Sequence, residues 1–106
     1  MPVAVVADRV LTTFSEGHPA FAGHFPGAPI VPGVLLLDEL LHALAADLHR
    51  PYTAFLVDSV KFLHPVRPDD IVCWAYTETP AGAIRFTLSV GDREVAAGVL
   101  GVRPGT

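Results

Sequence analysis

Between residues 17 and 33 the chain carries Gly17, Pro19, Gly23, Pro26, Gly27, Pro29, Pro32 and Gly33, so eight of 17 positions are glycine or proline. Proline lacks an amide hydrogen and fixes φ, and glycine weakens any regular element, so neither a helix interior nor a central strand tolerates that density. The stretch is expected to be an ordered loop with a largely prescribed backbone. Phe21, His24 and Phe25 lie within it and are unusual residues for a flexible linker. Pro32 then suits the first position of a helix, where its missing N–H would be unpaired anyway. From Gly33 to Arg50 the chain carries Leu35, Leu36, Leu37, Leu40, Leu41, Leu44 and Leu48, with Ala43, Ala45 and Ala46 between them. Apolar side chains on nearly every side predict a buried helix. Pro51 ends it. The polar exceptions are Asp38, Glu39, His42, Asp47 and His49.

The remaining segments read as strands. Val3 to Ala7 is a short β-branched run that continues through Thr13. Thr53 to Leu63 alternates loosely, and His64 to Asp70 breaks it. Ile71 to Thr77 follows, then a turn at Pro80-Ala81-Gly82. Ala83 to Val90 alternates Ile84, Phe86 and Leu88 against Arg85, Thr87 and Ser89. Gly91-Asp92-Arg93 is a hairpin turn leading into Glu94 to Val102. The expectation is an α+β fold, one long buried helix against an antiparallel sheet of about five strands, as a single domain over residues 1–106. With 51% apolar and 17% charged residues the chain is neither disordered nor a linker. A domain of this size buries roughly two-thirds of its unfolded surface, so a further face buried in a dimer would help it.

Composition also excludes functions. Seven Lys and Arg against 11 Asp and Glu give a net charge of -4, which argues against non-specific binding to nucleic acid. A single cysteine, Cys73, forms no intrachain disulfide and fits a reducing cytoplasm. The N-terminus shows no basic region followed by a long apolar run, and no apolar run is long enough to span a bilayer. Five histidines raise the question of a metal. No His-x-x-x-His pair falls on the helix, and His42 and His49 are two turns apart, so neither a metal nor a cofactor is expected.

Chemistry could reside in three places. Glycine and proline around Gly23-His24-Phe25-Pro26-Gly27 would hold His24 in one orientation, as a general base requires; the alternative is a turn histidine facing solvent. Asp38, in the second turn of an apolar helix, would be costly to bury as an ion and would serve as a general acid if kept protonated. The alternative is an acid favoured by the helix dipole, and Glu39 competes for the role. His42, four residues on, could donate a hydrogen bond to Asp38. His49, near the helix end, could cap the last carbonyls. Third, the free N–H groups of Gly33 and Val34 carry the positive end of the dipole and could polarise a carbonyl, with Gly33 allowing close approach.

The run Gly23-His24-Phe25-Pro26-Gly27-Ala28-Pro29-Ile30-Val31-Pro32-Gly33-Val34-Leu35-Leu36-Leu37-Asp38 resembles the signature of the FabA/FabZ-type 3-hydroxyacyl-[acyl-carrier-protein] dehydratases. Val60 to Asp70 resembles the strand and turn that follow the helix in that family, so the resemblance covers nearly the whole chain. It implies a hotdog fold and loss of water from a 3-hydroxyacyl thioester to give the trans-2-enoyl thioester. His24 is then the base, Asp38 the acid, and the Gly33 N–H the donor to the thioester carbonyl. Phe21, Phe25, Val34 and His42 fall beside the substrate, and Leu36 either lines the acyl tunnel or packs the core. The implied partners are an acyl carrier protein, met by Lys61, Arg67 or Arg50, and a second copy whose Asp38 faces His24; a heterodimer or higher oligomer extends the same scheme. Three departures stand out. The chain is shorter at its N-terminus than typical members, His42 replaces a usual glutamine, and Pro68-Asp69-Asp70 replaces a commoner Pro-Gly-Asp turn. The short form resembles the branch serving aryl polyene or polyketide-type pathways. A thioesterase on the same fold, or a non-catalytic acyl-binding or dimer-partner module, are the rival readings.

Overall fold

The structure is a computed structural model and describes residues 9–15, 17 and 30–103. The expected strand at Val3 to Ala7 and the loop residues Phe21, His24 and Phe25 lie outside the described residues. The elements are β1 (Arg9–Thr12), α1 (Gly33–Leu48), a 3₁₀ turn (Tyr52–Ala54), β2 (Phe55–Phe62), β3 (Val72–Glu78), β4 (Ile84–Val90) and β5 (Arg93–Val102). The five strands form one antiparallel sheet in the order β1-β3-β4-β5-β2. This is the expected α+β arrangement.

Period-2 alternation explains β3 and β4. Val72, Trp74 and Tyr76 are buried, as are Ile84, Phe86 and Leu88. Cross-strand pairing sets Trp74 opposite Leu88 and Tyr76 opposite Phe86, so aromatic and aliphatic side chains meet on one face. β5 adds Ala96 and Leu100 to that face. Against it lies the stripe Leu36, Leu40, Leu41 and Leu44 of α1, spaced for one side of a 3.6-residue helix. The β2–β5 register shifts between Val57 and Ser59, a bulge at Asp58 that bends the edge strand.

Three expectations about the helix are corrected. Only one stripe of α1 is buried in the single chain, whereas Val34 is 69% exposed and Leu35 and Leu37 are half-buried. The sheet covers one side of the helix, and on the other the 3₁₀ turn reaches only as far as Asp38 and His42, through Tyr52. Pro32 is the residue before the helix rather than its first member, since its ψ of 136° is extended. At the other end His49 takes a left-handed conformation with φ 54°, and its backbone N–H, not its ring, bonds to the Ala45 carbonyl. Among the described residues no helix is long and apolar enough to cross a membrane.

Two backbone bonds position the start of α1 and the turn before β3. The Val31 N–H donates to the Val66 carbonyl at 2.8 Å, and the Asp69 N–H donates to the Phe14 carbonyl at 2.8 Å. Val31, Val66 and Phe14 are all core residues. The irregular segment after β2 is therefore fixed against both the helix entry and the chain leaving β1.

Candidate active site

The first helical turn opens onto a cleft of about 440 Å³ whose lining includes Ile30, Val34, Leu36, Phe62, His64 and Pro65. The Leu35 N–H bonds back to the Pro32 carbonyl at 3.0 Å. The N–H groups of Gly33 and Val34 precede it and carry the positive end of the helix dipole into this region. Leu36 is buried in the core and also borders the cleft. A Cβ at Gly33 would lie 2.7 Å from Cζ of Phe62, so that half-exposed ring packs against the glycine where a side chain would stand. His64, read from the sequence only as part of a strand break, is a titratable group on the cleft wall. Nothing in its local pattern marked it, because its place there depends on the fold of β2 against the helix.

Asp38 lies elsewhere. Five residues beyond Gly33 turn a helix by about 140°, and Asp38 does not line the cleft. Its side chain is 49% exposed, so the buried, apolar setting expected for it is not formed by the described residues of one chain. No described polar or charged residue is buried at all. Two aromatic groups flank the carboxyl instead. The Tyr52 hydroxyl donates to Oδ1 at 3.1 Å. That hydrogen bond, with some burial, holds the Tyr52 phenol above its usual range. His42 Nδ1 lies 2.8 Å from the Asp38 backbone carbonyl and 3.5 Å from Oδ1. The expected bond from His42 to the carboxylate is therefore made to the main chain, and the carboxylate is a near neighbour. The His42 and Tyr52 rings pack with centroids 4.5 Å apart. Tyr52 was missed in the sequence, since it follows the helix-ending Pro51 and looked like part of a connection. Glu39, the rival acid, has no place in this group of contacts, about 100° away around the helix.

Of the expected site residues, then, Gly33 and Val34 share the cleft, Asp38 and His42 share a second cluster, and Phe21, His24 and Phe25 fall outside the described residues. Lys61, Arg67 and Arg50 are exposed. The backbone N–H of Arg67 donates to Asp70 Oδ2 at 2.9 Å and tightens the turn before β3. Among the described residues no three His, Cys, Asp or Glu side chains come together as a metal site would require.

Comparison with known proteins gives this geometry a family. The FabZ 3-hydroxyacyl-[acyl-carrier-protein] dehydratase of Chlamydia trachomatis serovar L2 is 36% identical over 110 aligned residues, covering 92% of this chain and 70% of that protein. The Thermomicrobium roseum enzyme of the same name is 38% identical, covering 76% of this chain and 60% of that protein. Among solved structures, a chain of the dehydratase heterocomplex ApeI:P from Xenorhabdus doucetiae superposes with a TM-score of 0.67 at 17% identity, covering 98% of this chain and 100% of the other. An uncharacterised protein from Erwinia carotovora subsp. atroseptica gives 0.60 at 18% identity, covering 98% of each chain. At those identities the structures speak for the shared hotdog dehydratase fold. The profile of the ApeI-like family, described as ApeI dehydratase, matches residues 7–99, and the chain belongs to that family.

Proposed function

We propose that this chain dehydrates a 3-hydroxyacyl thioester to the trans-2-enoyl thioester, with the acyl group delivered by an acyl carrier protein. The observation that carries the proposal is the coincidence of family membership with an acid, Asp38, held by Tyr52 beside the helix whose N-terminal amides open a cleft. The thioester carbonyl rests near the Gly33 and Val34 N–H groups, which stabilise negative charge developing on its oxygen as the α-carbon loses its proton. His24 removes that proton. Asp38, protonated, gives its proton to the departing hydroxyl, which leaves as water. Phe21 and Phe25 line the acyl chain's path.

The enzyme works as a homodimer, with His24 of one chain facing Asp38 of the other. Support comes from the separation within one chain of the amide cleft and Asp38, and from the apolar residues of α1 that the described sheet leaves exposed or half-exposed, Val34, Leu35 and Leu37. Exposed cations at Lys61, Arg67 and Arg50 receive the acidic carrier against a net charge of -4. Lone Cys73 supports a cytoplasmic setting.

Mass spectrometry of a 3-hydroxyacyl-carrier protein incubated with the purified protein tests the reading. Loss of one water, absent with His24→Ala and with Asp38→Asn, is the expected result. Loss of the whole acyl group would make the protein a thioesterase. No mass change across several chain lengths would make it a binding or partner module.

A further inference from the structure

We propose that Tyr52 is a positioning residue for Asp38, its phenol holding Oδ1 so that Oδ2 is the oxygen that carries and delivers the proton. The inference rests on the reading of Asp38 as the acid. A protonated carboxyl has one carbonyl-type oxygen, which accepts, and one hydroxyl-type oxygen, which donates. The Tyr52 hydroxyl donates to Oδ1 at 3.1 Å and so selects that oxygen as the acceptor. The acid proton is thereby confined to Oδ2. In the reaction the Oδ2–H bond breaks and its proton joins the leaving hydroxyl. The Cβ–O bond breaks with it, and the Cα–H electron pair becomes the new double bond as His24 takes that proton. One water leaves, and Asp38 and the protonated His24 are reset by returning one proton.

The phenol is held by more than the one bond. Tyr52 opens a 3₁₀ turn whose entry is fixed by Pro51 at φ -66°. The Ala54 N–H closes the turn on the Pro51 carbonyl at 2.9 Å. Arg103, just past β5, ties the turn to the end of the sheet twice: its backbone N–H donates to the Ala54 carbonyl at 2.7 Å, and its Nε donates to the Thr53 carbonyl at 3.2 Å. From the other side the His42 ring packs on Tyr52 while its Nδ1 donates to the Asp38 carbonyl at 2.8 Å, which fixes the imidazole tautomer. The carboxyl is thus oriented by a group anchored to the sheet, not by the helix alone. Supporting shells of this kind keep a reacting group within the narrow angular range that proton transfer needs.

Steady-state kinetics on 3-hydroxybutyryl-carrier protein with Tyr52→Phe, Asp38→Asn and the double variant tests the assignment. Phenylalanine keeps the ring against His42 and removes only the hydroxyl. We expect kcat to fall about tenfold, the upper end of the scale for one hydrogen bond between neutral groups, with KM and the melting temperature essentially unchanged. In the Asp38→Asn background the Tyr52 change should add nothing, because it acts only through that carboxyl. A Tyr52→Phe enzyme with parental kcat, beside an inactive Asp38→Asn, overturns the positioning role and leaves Asp38 as the acid. Parental activity in Asp38→Asn overturns both. An unchanged kcat/KM split with a lowered melting temperature would mark Tyr52 as structural and overturn the proposal as well.

Discussion

Asp47 stands in the last turn of α1, where the carbonyl end of the helix dipole disfavours negative charge. Two distant partners offset this. Arg9 Nη1 reaches Oδ1 at 3.0 Å, and the Tyr76 hydroxyl donates to Oδ2. Arg9 also lies over the Trp74 ring, 4.5 Å from its centroid, and Trp74 stacks on Tyr76. The cluster fastens the short edge strand β1 and the middle of β3 to the end of the helix. The hydrogen bond from Arg9, then that from Tyr76, holds the Asp47 carboxyl below the usual carboxylate range. Burial, then the bond to Asp47, pushes the Tyr76 phenol up to about 12. The two groups act at opposite ends of the pH scale. A depressed carboxylate contributes stability that is present above its unfolded value, near about 4, and is lost as pH falls through the folded value. A raised phenol contributes below its unfolded value, near about 10, and that contribution is lost as pH rises toward 12. We expect the melting temperature of Asp47→Asn to be lower than the parent's at neutral pH and to converge on it as the solution is acidified. Parallel curves from pH 7 to pH 2.5 would exclude the linkage. This cluster was not legible in the sequence, since Asp47 looked like one polar exception on an apolar helix and its partners lie 38 and 29 residues away. Asp69 was half legible. Its place in a turn where glycine is commoner could be read, and its φ of 68° gives the physical reason.

At the scale of elements, the sequence reading placed β3 and β4 to within a residue, and for β4 the alternation marked a strand with one face to the core. Pro51 marked the end of the helix, although the helix itself stops at Leu48 with His49 left-handed. The 3₁₀ turn and the bulge at Asp58 carried no such sign: Arg103, distant in sequence, ties the turn that Pro51 enters, and the bulge is set by the register of β2 against β5. Gly98 is where that bulge matters most. It pairs with Val60 on one side and Phe86 on the other. A Cβ added there would meet the Ser59 carbonyl oxygen at 2.2 Å and the Phe86 ring at 2.9 Å. One contact is backbone and the other is a fully buried side chain, so neither can move aside cheaply. Gly98→Ala should cost about 3 kcal/mol, at the upper end of overpacking penalties. Gly101→Ala on the same strand is the control, because its nearest neighbour would be 3.6 Å away, an ordinary contact. Urea denaturation that gave the two variants equal midpoints would contradict the close approach at Gly98.

For the whole molecule the instructive misreading is the helix. Apolar residues around its full circumference implied burial on every side, and among the described residues the sheet covers one side while Tyr52 alone reaches Asp38 and His42 on the other. The same chain leaves β2 as a sheet edge with Leu56, Val57 and Phe62 exposed, and Leu63 beyond it. An edge of this length with apolar side chains is a template for another strand, and the commonest closed solution is a two-fold dimer with like edges paired. If the chain pairs as proposed, the apolar pattern of the helix belongs to the assembly and not to a monomer. If His24 of one chain serves Asp38 of the other, the arrangement has a consequence that no single-chain site shares. Mixed after unfolding, inactive His24→Ala and Asp38→Asn chains would form hybrids in about half of all dimers by random pairing. In each hybrid one site combines both defects, and the other combines an intact His24 with an intact Asp38. Refolded equimolar mixtures should therefore recover about a quarter of parental turnover, from half the dimers with one working site in two. If both residues served from one chain, every site in every hybrid would lack one of them, and the mixture would stay as inactive as its components.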